Sequence, residues 1–343
     1  MQPVVGVDVE KITAWFEAHA TVAPPLRFEL IAGGHSNLTY RVTDTAGGTW
    51  VLRRPPLGQV LATAHDMGRE HRIISALAET DVPVAPTIGL CPDDAVNGAP
   101  FYVMKFVDGT VVRDQSVGET LSVDQRCTAS ESIVDVLARI HRVDLVSVGL
   151  DDLGRHEGYI ERQLKRWYTQ FEKSKTRDLP LLDQVYEGLK ATVPAQGAAT
   201  IVHGDYRLDN CMLGPDGHIK AVLDWEICTL GDPLADVGLL MVYWNDPGDE
   251  HAAAVGGATT LDGFLRRPQL LERYAEVSGR DLSEIDYYVA FGYWKLACII
   301  EGVYARYKGG AMGDRGEAGS FDFFAEQVTT LVESARQALG RLE

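Results

Sequence analysis

Residues 201–226 constrain this chain more than any other stretch. They read Ile-Val-His203-Gly204-Asp205-Tyr-Arg-Leu-Asp209-Asn210-Cys-Met-Leu, then Gly214-Pro-Asp-Gly217, then His-Ile-Lys-Ala-Val-Leu-Asp224-Trp-Glu226. Two apolar runs, Cys211 to Leu213 and Ile219 to Leu223, flank a Gly-Pro-Asp-Gly turn, which is a β-hairpin pattern. Folding the hairpin is expected to bring Asp205, Asn210 and Asp224 toward one end of a small sheet. A carboxylate, an amide oxygen and a second carboxylate are hard ligands that suit Mg²⁺ bound together with substrate phosphates. The spacing His-x-Asp-x-x-x-x-Asn also meets the needs of phosphoryl transfer, in which an Asp accepts the proton of the attacking hydroxyl and a following Asn and a later Asp hold metal. Here those residues are Asp205, Asn210 and Asp224. The competing reading is a surface hairpin with ordinary turn acids, and the full set of His203, Asp205, Asn210 and Asp224 weighs against it.

The chain has 343 residues, enough to bury a sizeable core, and that length allows two domains or two lobes sharing one cleft. Thirty-two Lys and Arg against 49 Asp and Glu give a formal charge of −17, a field that repels nucleic acid and anionic membrane. Cys91, Cys127, Cys211, Cys228 and Cys298 are odd in number and lack Cys-x-x-Cys spacing, which fits buried thiols in a reduced, cytoplasmic setting. Met1 to Val9 has neither the basic nor the apolar region of a signal peptide. The longest apolar stretch, Tyr287 to Tyr304, is interrupted by Lys295 and Glu301 and is too short and charged to span a bilayer. A soluble protein is expected.

Apolar Val9, Ile12, Trp15 and Phe16 recur at helical spacing behind a capping Asp8, so a helix should open the chain. From Leu26 to Arg53 the pattern shortens toward period two and predicts a three-strand meander. Its first turn holds Gly33, Gly34, His35, Ser36 and Asn37. Gly34 permits close backbone approach, Ser36 and Asn37 add donors, and N–H groups there can cover phosphates. No Gly-Lys-Ser/Thr follows, so this is not a Walker loop. Arg53 ends the third strand, where kinases place a lysine that pairs with the α- and β-phosphates; a guanidinium can grip phosphate in its place. A helix from about Ala64 to Glu79 presents Glu70, either to orient Arg53 or as a solvated helical acid.

Val82 to Pro86 should begin an extended segment, and Asp93 to Gly98 a loop. Phe101 to Gly109 is a strand that runs out into a hinge; backbone groups of Lys105 to Val107 could bond an adenine edge, with Met104 lining the pocket. Ser122 and Gln125 form a capping box for a helix over Val123 to Arg142, whose His141 is read as structural. Helices follow over Gly158 to Lys173 and Leu179 to Ala191. After the hairpin, Asp232-Pro233 is a helix start, and helices are expected over Leu239 to Trp244, Leu261 to Ser278, Asp286 to Tyr307 and Phe321 to Leu342, with a polar loop from Asn245 to Thr259.

The His203-Gly-Asp205 and Asp224-Trp-Glu226 segments resemble those of the aminoglycoside phosphotransferase and choline kinase superfamily. The likeness is especially close to the phosphotransferase-like domains associated with acyl-CoA dehydrogenases, through Ser36-Asn37-x-Thr39-Tyr40, Val51-Leu-Arg53-Arg-Pro-Pro56 and Leu223 to Pro233. This resemblance implies an α+β, protein-kinase-like bilobal fold, with a small antiparallel-sheet N-lobe over residues 1–106 and a larger, mainly helical C-lobe over 107–343. It implies an ATP- and Mg²⁺-dependent transfer of phosphate to a small-molecule alcohol of hydroxyacyl or aminoglycoside type. It also implies that Asp236 braces the catalytic loop. Tyr243, Trp244, Trp294, Lys295, Glu301 and Arg306 are candidates for the acceptor pocket or for core. The alternatives are a non-catalytic nucleotide-binding module, a metal-dependent phosphohydrolase, and an antibiotic-resistance kinase.

Overall fold

The computed structural model describes residues 4–33, 37–57, 65–249, 257–309 and 321–342. It divides into two compact units, one of residues 1–109, 146–150 and 220–226, the other of 110–145, 151–219 and 227–343. The chain is α+β, as the resemblance implies.

The first unit is built on strands β1 (Arg27–Gly33), β2 (Leu38–Thr43), β3 (Thr49–Arg54), β4 (Thr87–Cys91) and β5 (Phe101–Lys105), ordered β1-β2-β3-β5-β4. Every neighbouring pair is antiparallel. β2 alternates buried Tyr40 and Val42 with exposed Arg41, whereas central β3 buries Trp50, Val51 and Leu52 in succession because both its faces are covered. Helix α1 (Val9–His19), capped by Asp8 on the Lys11 N–H at 3.2 Å, lays Ile12, Trp15 and Phe16 into a core with Val42, Leu52, Phe101 and Val103. Helix α2 (Met67–Leu77) packs on β4 and β5, burying Met67, Glu70, Ile73, Ile74 and Leu77. Its start is the Asp66 cap, and the expected start at Ala64 lies outside the described residues.

Two local expectations change. The extended segment expected from Val82 becomes a strand only at Thr87, because Pro83 and Pro86 carry no N–H for the ladder. The expected loop at 93–98 contains one helical turn, α3 (Asp94–Asn97), since Asp93 caps the Ala95 N–H at 2.8 Å and Gly98 closes it in the left-handed region.

The second unit is mainly helical: α4 (Gln115–Glu119), α5 (Val123–Arg142), α6 (Tyr159–Ser174), α7 (Pro180–Ala191), α8 (Leu234–Tyr243), α9 (Arg267–Ser278), α10 (Ile285–Lys308) and α11 (Asp322–Leu339). Short strands β6 (Thr200–Val202) and β9 (Thr229–Gly231) pair antiparallel; β7 (Cys211–Leu213) and β8 (Ile219–Val222) are the two strands of the predicted hairpin, of which residues 220–222 are counted in the first unit. The predicted capping box closes α5: Gln125 N–H donates to the Ser122 hydroxyl at 3.2 Å and Ser122 N–H to Gln125 Oε1 at 2.7 Å. The helix start read at Asp232-Pro233 is where α8 begins, with the Leu234 N–H donating to Asp232 Oδ1 at 3.0 Å, and the helix runs on through the segment expected from Leu239. One helix differs from expectation. α9 begins only at Arg267, because Pro268 is accommodated in a first turn and not in a helix interior. Among the described residues no helix is long and apolar enough to cross a membrane.

α10 is the axis of this unit's core, packing on α11, α8 and α6 and burying Tyr287, Phe291, Trp294 and Cys298. α8 comes so close that a Cβ built on Gly238 would lie 2.4 Å from the Tyr288 carbonyl carbon and oxygen. Backbone cannot retreat as a side chain can. Gly238→Ala is therefore expected to cost about 1–3 kcal/mol by overpacking, read as a lowered urea midpoint; an unchanged midpoint would refute this packing.

Candidate active site

In the second unit β6 delivers the chain to His203, Gly204 and Asp205. Gly204 adopts φ +85°, and a Cβ there would meet Ile227 Cδ1 at 3.1 Å, so only glycine turns the chain here without strain. The turn is held from α8: Asp236 accepts the His203 N–H at 2.7 Å and the Gly204 N–H at 2.8 Å. Asp236 also lies 3.4 Å from His141 Nε2, and the other nitrogen of His141 bonds the Tyr274 hydroxyl at 2.7 Å. Burial raises the Asp236 carboxyl, but His141, His203 and the Gly204 N–H outweigh it and hold the group below the usual carboxylate range. His141 is thus a structural hydrogen-bonder, and Asp236 braces the loop. Asp236→Asn would turn an amide NH₂ against one of two backbone N–H donors; a loss of about 1–3 kcal/mol in urea unfolding is expected.

Asp205 lies on this braced turn. Asn210 ends a single 3₁₀ turn (Leu208–Asn210), and its Nδ2 donates to the Asp205 carbonyl at 2.8 Å and to Oδ2 at 2.9 Å. Arg207 reaches Asp205 Oδ2 at 3.5 Å and Asp209 Oδ2 at 3.1 Å, with its guanidinium 4.7 Å from the centre of the Tyr243 ring. Asp205 N–H donates to His203 Nδ1 at 3.3 Å. Of the acceptor-pocket candidates, Trp244 and Trp294 are core residues bonded to the Leu265 and Leu182 carbonyls, and Glu301 is buried against Arg177. Arg306 is exposed.

In the first unit Arg53, opposite Thr39 and Tyr102 in the sheet, is the centre of a cluster. Its Nε lies 3.1 Å from Glu70 Oε1, and its Nη2 lies 2.6 Å from Asp224 Oδ1 and 3.8 Å from Glu226 Oε2. The buried Glu70 of α2 therefore orients Arg53 and is not a solvated acid. Desolvation pulls the Arg53 guanidinium down, and the surrounding carboxylates more than restore it. Burial, aided by the charges of Asp224 and Glu226, pushes Glu70 up to about 7 against the pull of Arg53. Asp224 stands at φ 62°, the one non-glycine residue with positive φ among those described, a strained backbone of the kind that persists at functional sites.

Asn37 is buried, with Nδ2 donating to Glu226 Oε2 at 3.1 Å and Oδ1 buried without a hydrogen bond among the described residues. Glu226 was not singled out in the sequence; its i, i+2 relation to Asp224 was the available signal. Gly34 and Ser36 lie outside the described residues. Met104 is half-buried in β5, the Lys105 N–H donates to the Pro86 carbonyl at 2.8 Å, and Val107 is half-buried beyond the strand.

Each unit offers an oxygen donor of a kind a hard cation accepts. In the second unit Asn210 commits Nδ2 to Asp205, which leaves its Oδ1 as an acceptor. In the first unit Asp224 has a second carboxylate oxygen beyond the one bound to Arg53. Among the described residues no group of three or more His, Cys, Asp or Glu forms a metal cage. Mg²⁺ needs none, since it takes one or two protein ligands and fills the rest with water and phosphate.

Residues 27–276 match the phosphotransferase enzyme family. Mouse acyl-CoA dehydrogenase family member 10 is 35% identical over 283 residues, 80% of this chain but only 26% of the relative. The chain thus spans about a quarter of that protein's length. A Ralstonia eutropha protein of solved structure, described as a candidate aminoglycoside phosphotransferase, is 33% identical with a TM-score of 0.78, covering 96% of this chain and 98% of its own. An amicoumacin kinase solved in complex with AMP-PNP, Ca²⁺ and Ami shares the fold at 18% identity and a TM-score of 0.62, covering 95% of this chain and 94% of its own.

Proposed function

The chain belongs to the phosphotransferase enzyme family, and from that premise we propose that it moves the γ-phosphate of ATP to a hydroxyl of a small molecule. Asp205 accepts the proton of the attacking hydroxyl as the new O–P bond forms and the bond to the β-phosphate oxygen breaks. Asn210 and Asp224 would hold Mg²⁺, which would supply charge neutralisation for the phosphates. Arg53, oriented by Glu70, adds charge for the phosphates. Gly34, Ser36 and Asn37 cover them, and Met104, Lys105 and Val107 receive the adenine. In this reading residues 1–106 cover the nucleotide, and 107–343 carry the catalytic loop and the acceptor-binding helices.

The observation that carries the reading is the Asp205–Asn210 pair. One amide orients the proton acceptor through its nitrogen and keeps its oxygen for a cation, on a turn pinned by Asp236. Positioning and electrostatics suffice for most of such a barrier, so no covalent intermediate is required. The acyl-CoA dehydrogenase relative favours a hydroxyacyl acceptor over an aminoglycoside. The acidic balance disfavours nucleic acid, and five free thiols support a reduced, cytoplasmic setting.

One observation favours a second reading, a nucleotide-binding module without turnover: Asp224 Oδ1 is already engaged by Arg53 at 2.6 Å. A screen of hydroxylated metabolites, hydroxyacyl-CoAs and aminoglycosides with γ-labelled ATP separates the two. The kinase reading expects labelled product that disappears when EDTA removes Mg²⁺. Nucleotide binding with no product from any compound would leave the binding module.

A further inference from the structure

Lys295 lies near the middle of α10 and is 6% exposed, yet it is paired with no acid among the described residues. Its ammonium donates to the Gly204 carbonyl at 2.8 Å and lies 5.7 Å from the centre of the Trp167 ring. Beyond that carbonyl and ring, only the through-space charges of Asp205 and Asp236 offset the water the buried cation has lost, and a methionine of similar length would avoid the desolvation cost. Burial accordingly lowers the Lys295 amine from its ordinary range, while Asp205 and Asp236 draw it up and Arg166 opposes them. The Gly204 carbonyl belongs to the peptide that continues into Asp205. The peptide before it is held by Asp236 through the Gly204 N–H, and the Asp205 N–H is held by His203 Nδ1. Lys295 therefore supplies the contact that fixes the carbonyl end of the unit leading into Asp205.

We infer that Lys295 is a positioning residue for Asp205: by holding the Gly204 carbonyl from α10 it sets the rotation of the Gly204–Asp205 peptide, and with it the aim of the carboxylate. The inference rests on Asp205 being the proton acceptor of the phosphoryl transfer. A small misaim of such a group lowers turnover while leaving the binding of nucleotide and acceptor intact. A structural lysine behaves otherwise, because its loss should lower stability and leave turnover alone.

The test uses Lys295→Met, which keeps the stem and removes the charge and donors, with Lys295→Arg as the conservative variant. Lys295→Met is expected to lose at least tenfold in kcat, with KM for ATP and acceptor within about twofold and an unchanged or raised urea midpoint. Lys295→Arg is expected to recover most of that kcat. Wild-type kcat in Lys295→Met, a change confined to KM, or a kcat loss that only follows a lowered urea midpoint would each overturn the inference. Hydrogen exchange without substrate keeps this outcome separate from failure of the phosphotransferase reading. Faster exchange in Lys295→Met confined to 203–210 supports the positioning role even if no acceptor is found, and unchanged exchange there overturns it.

Discussion

Asp205→Asn is expected to lower kcat by about 10²–10⁴-fold, the range that a positioned general base contributes. The substitution is nearly isosteric, and the amide can turn its oxygen toward Asn210 Nδ2, the donor that meets Asp205 Oδ2 at 2.9 Å. The turn beneath it is held by Asp236, so the urea midpoint should stay close to that of the parent protein. On the proposed reading, what disappears is the ability to take a proton from the acceptor hydroxyl. Binding of nucleotide should persist, so the loss should appear in kcat with little change in KM for ATP. Initial rates of labelled phosphate transfer decide it. Turnover within tenfold of the parent would remove Asp205 from its assigned role.

The second large effect is expected from Arg53→Met. Arg53 is the cation against which Glu70, Asp224 and Glu226 gather, and the Glu70 side chain is only 2% exposed. Removing it leaves a buried carboxyl without its partner, and breaking such a pair costs about 3–5 kcal/mol. The double variant Arg53→Met with Glu70→Gln should recover part of that loss, because a neutral amide does not need the guanidinium. Equal losses in the single and double variants would show that packing, not charge, is what Arg53 contributes.

The same cluster gives stability a pH dependence. Glu70 is raised to about 7 in the folded protein, against about 4.3 in an unfolded chain. Between those values the folded state binds the extra proton, so this group's contribution is fully present below about 4.3 and is lost as pH rises through about 7. Glu70→Gln should flatten the decline in urea midpoint between pH 5 and 8. A slope unchanged by the substitution would assign the decline to other groups.

Much of the chain could be read locally. The Asp8 cap, the Ser122–Gln125 capping box, the Gly-Pro-Asp-Gly hairpin turn and the period-two pattern of β2 each depend on residues a few positions apart. Neighbours along the chain supply the partners, so these elements emerged where the pattern placed them. The elements that moved show the limit: the start of β4 shifted because proline denies the ladder its N–H, and α9 began late, at Arg267, because Pro268 sits in a first turn.

The family to which the chain belongs was legible in one dimension because its motifs place fixed residue types at fixed spacings. What the folded chain alone decided is the company those residues keep. Whether Glu70 is a wet helical acid or the partner of Arg53 depends on where α2 docks on the sheet. That Glu226 joins Arg53 and Asn37, and that a lysine 91 positions away holds the Gly204 carbonyl, are contacts between distant parts of the sequence. Burial and electrostatics act through space, and a string of residues carries spacing but no distance across the core.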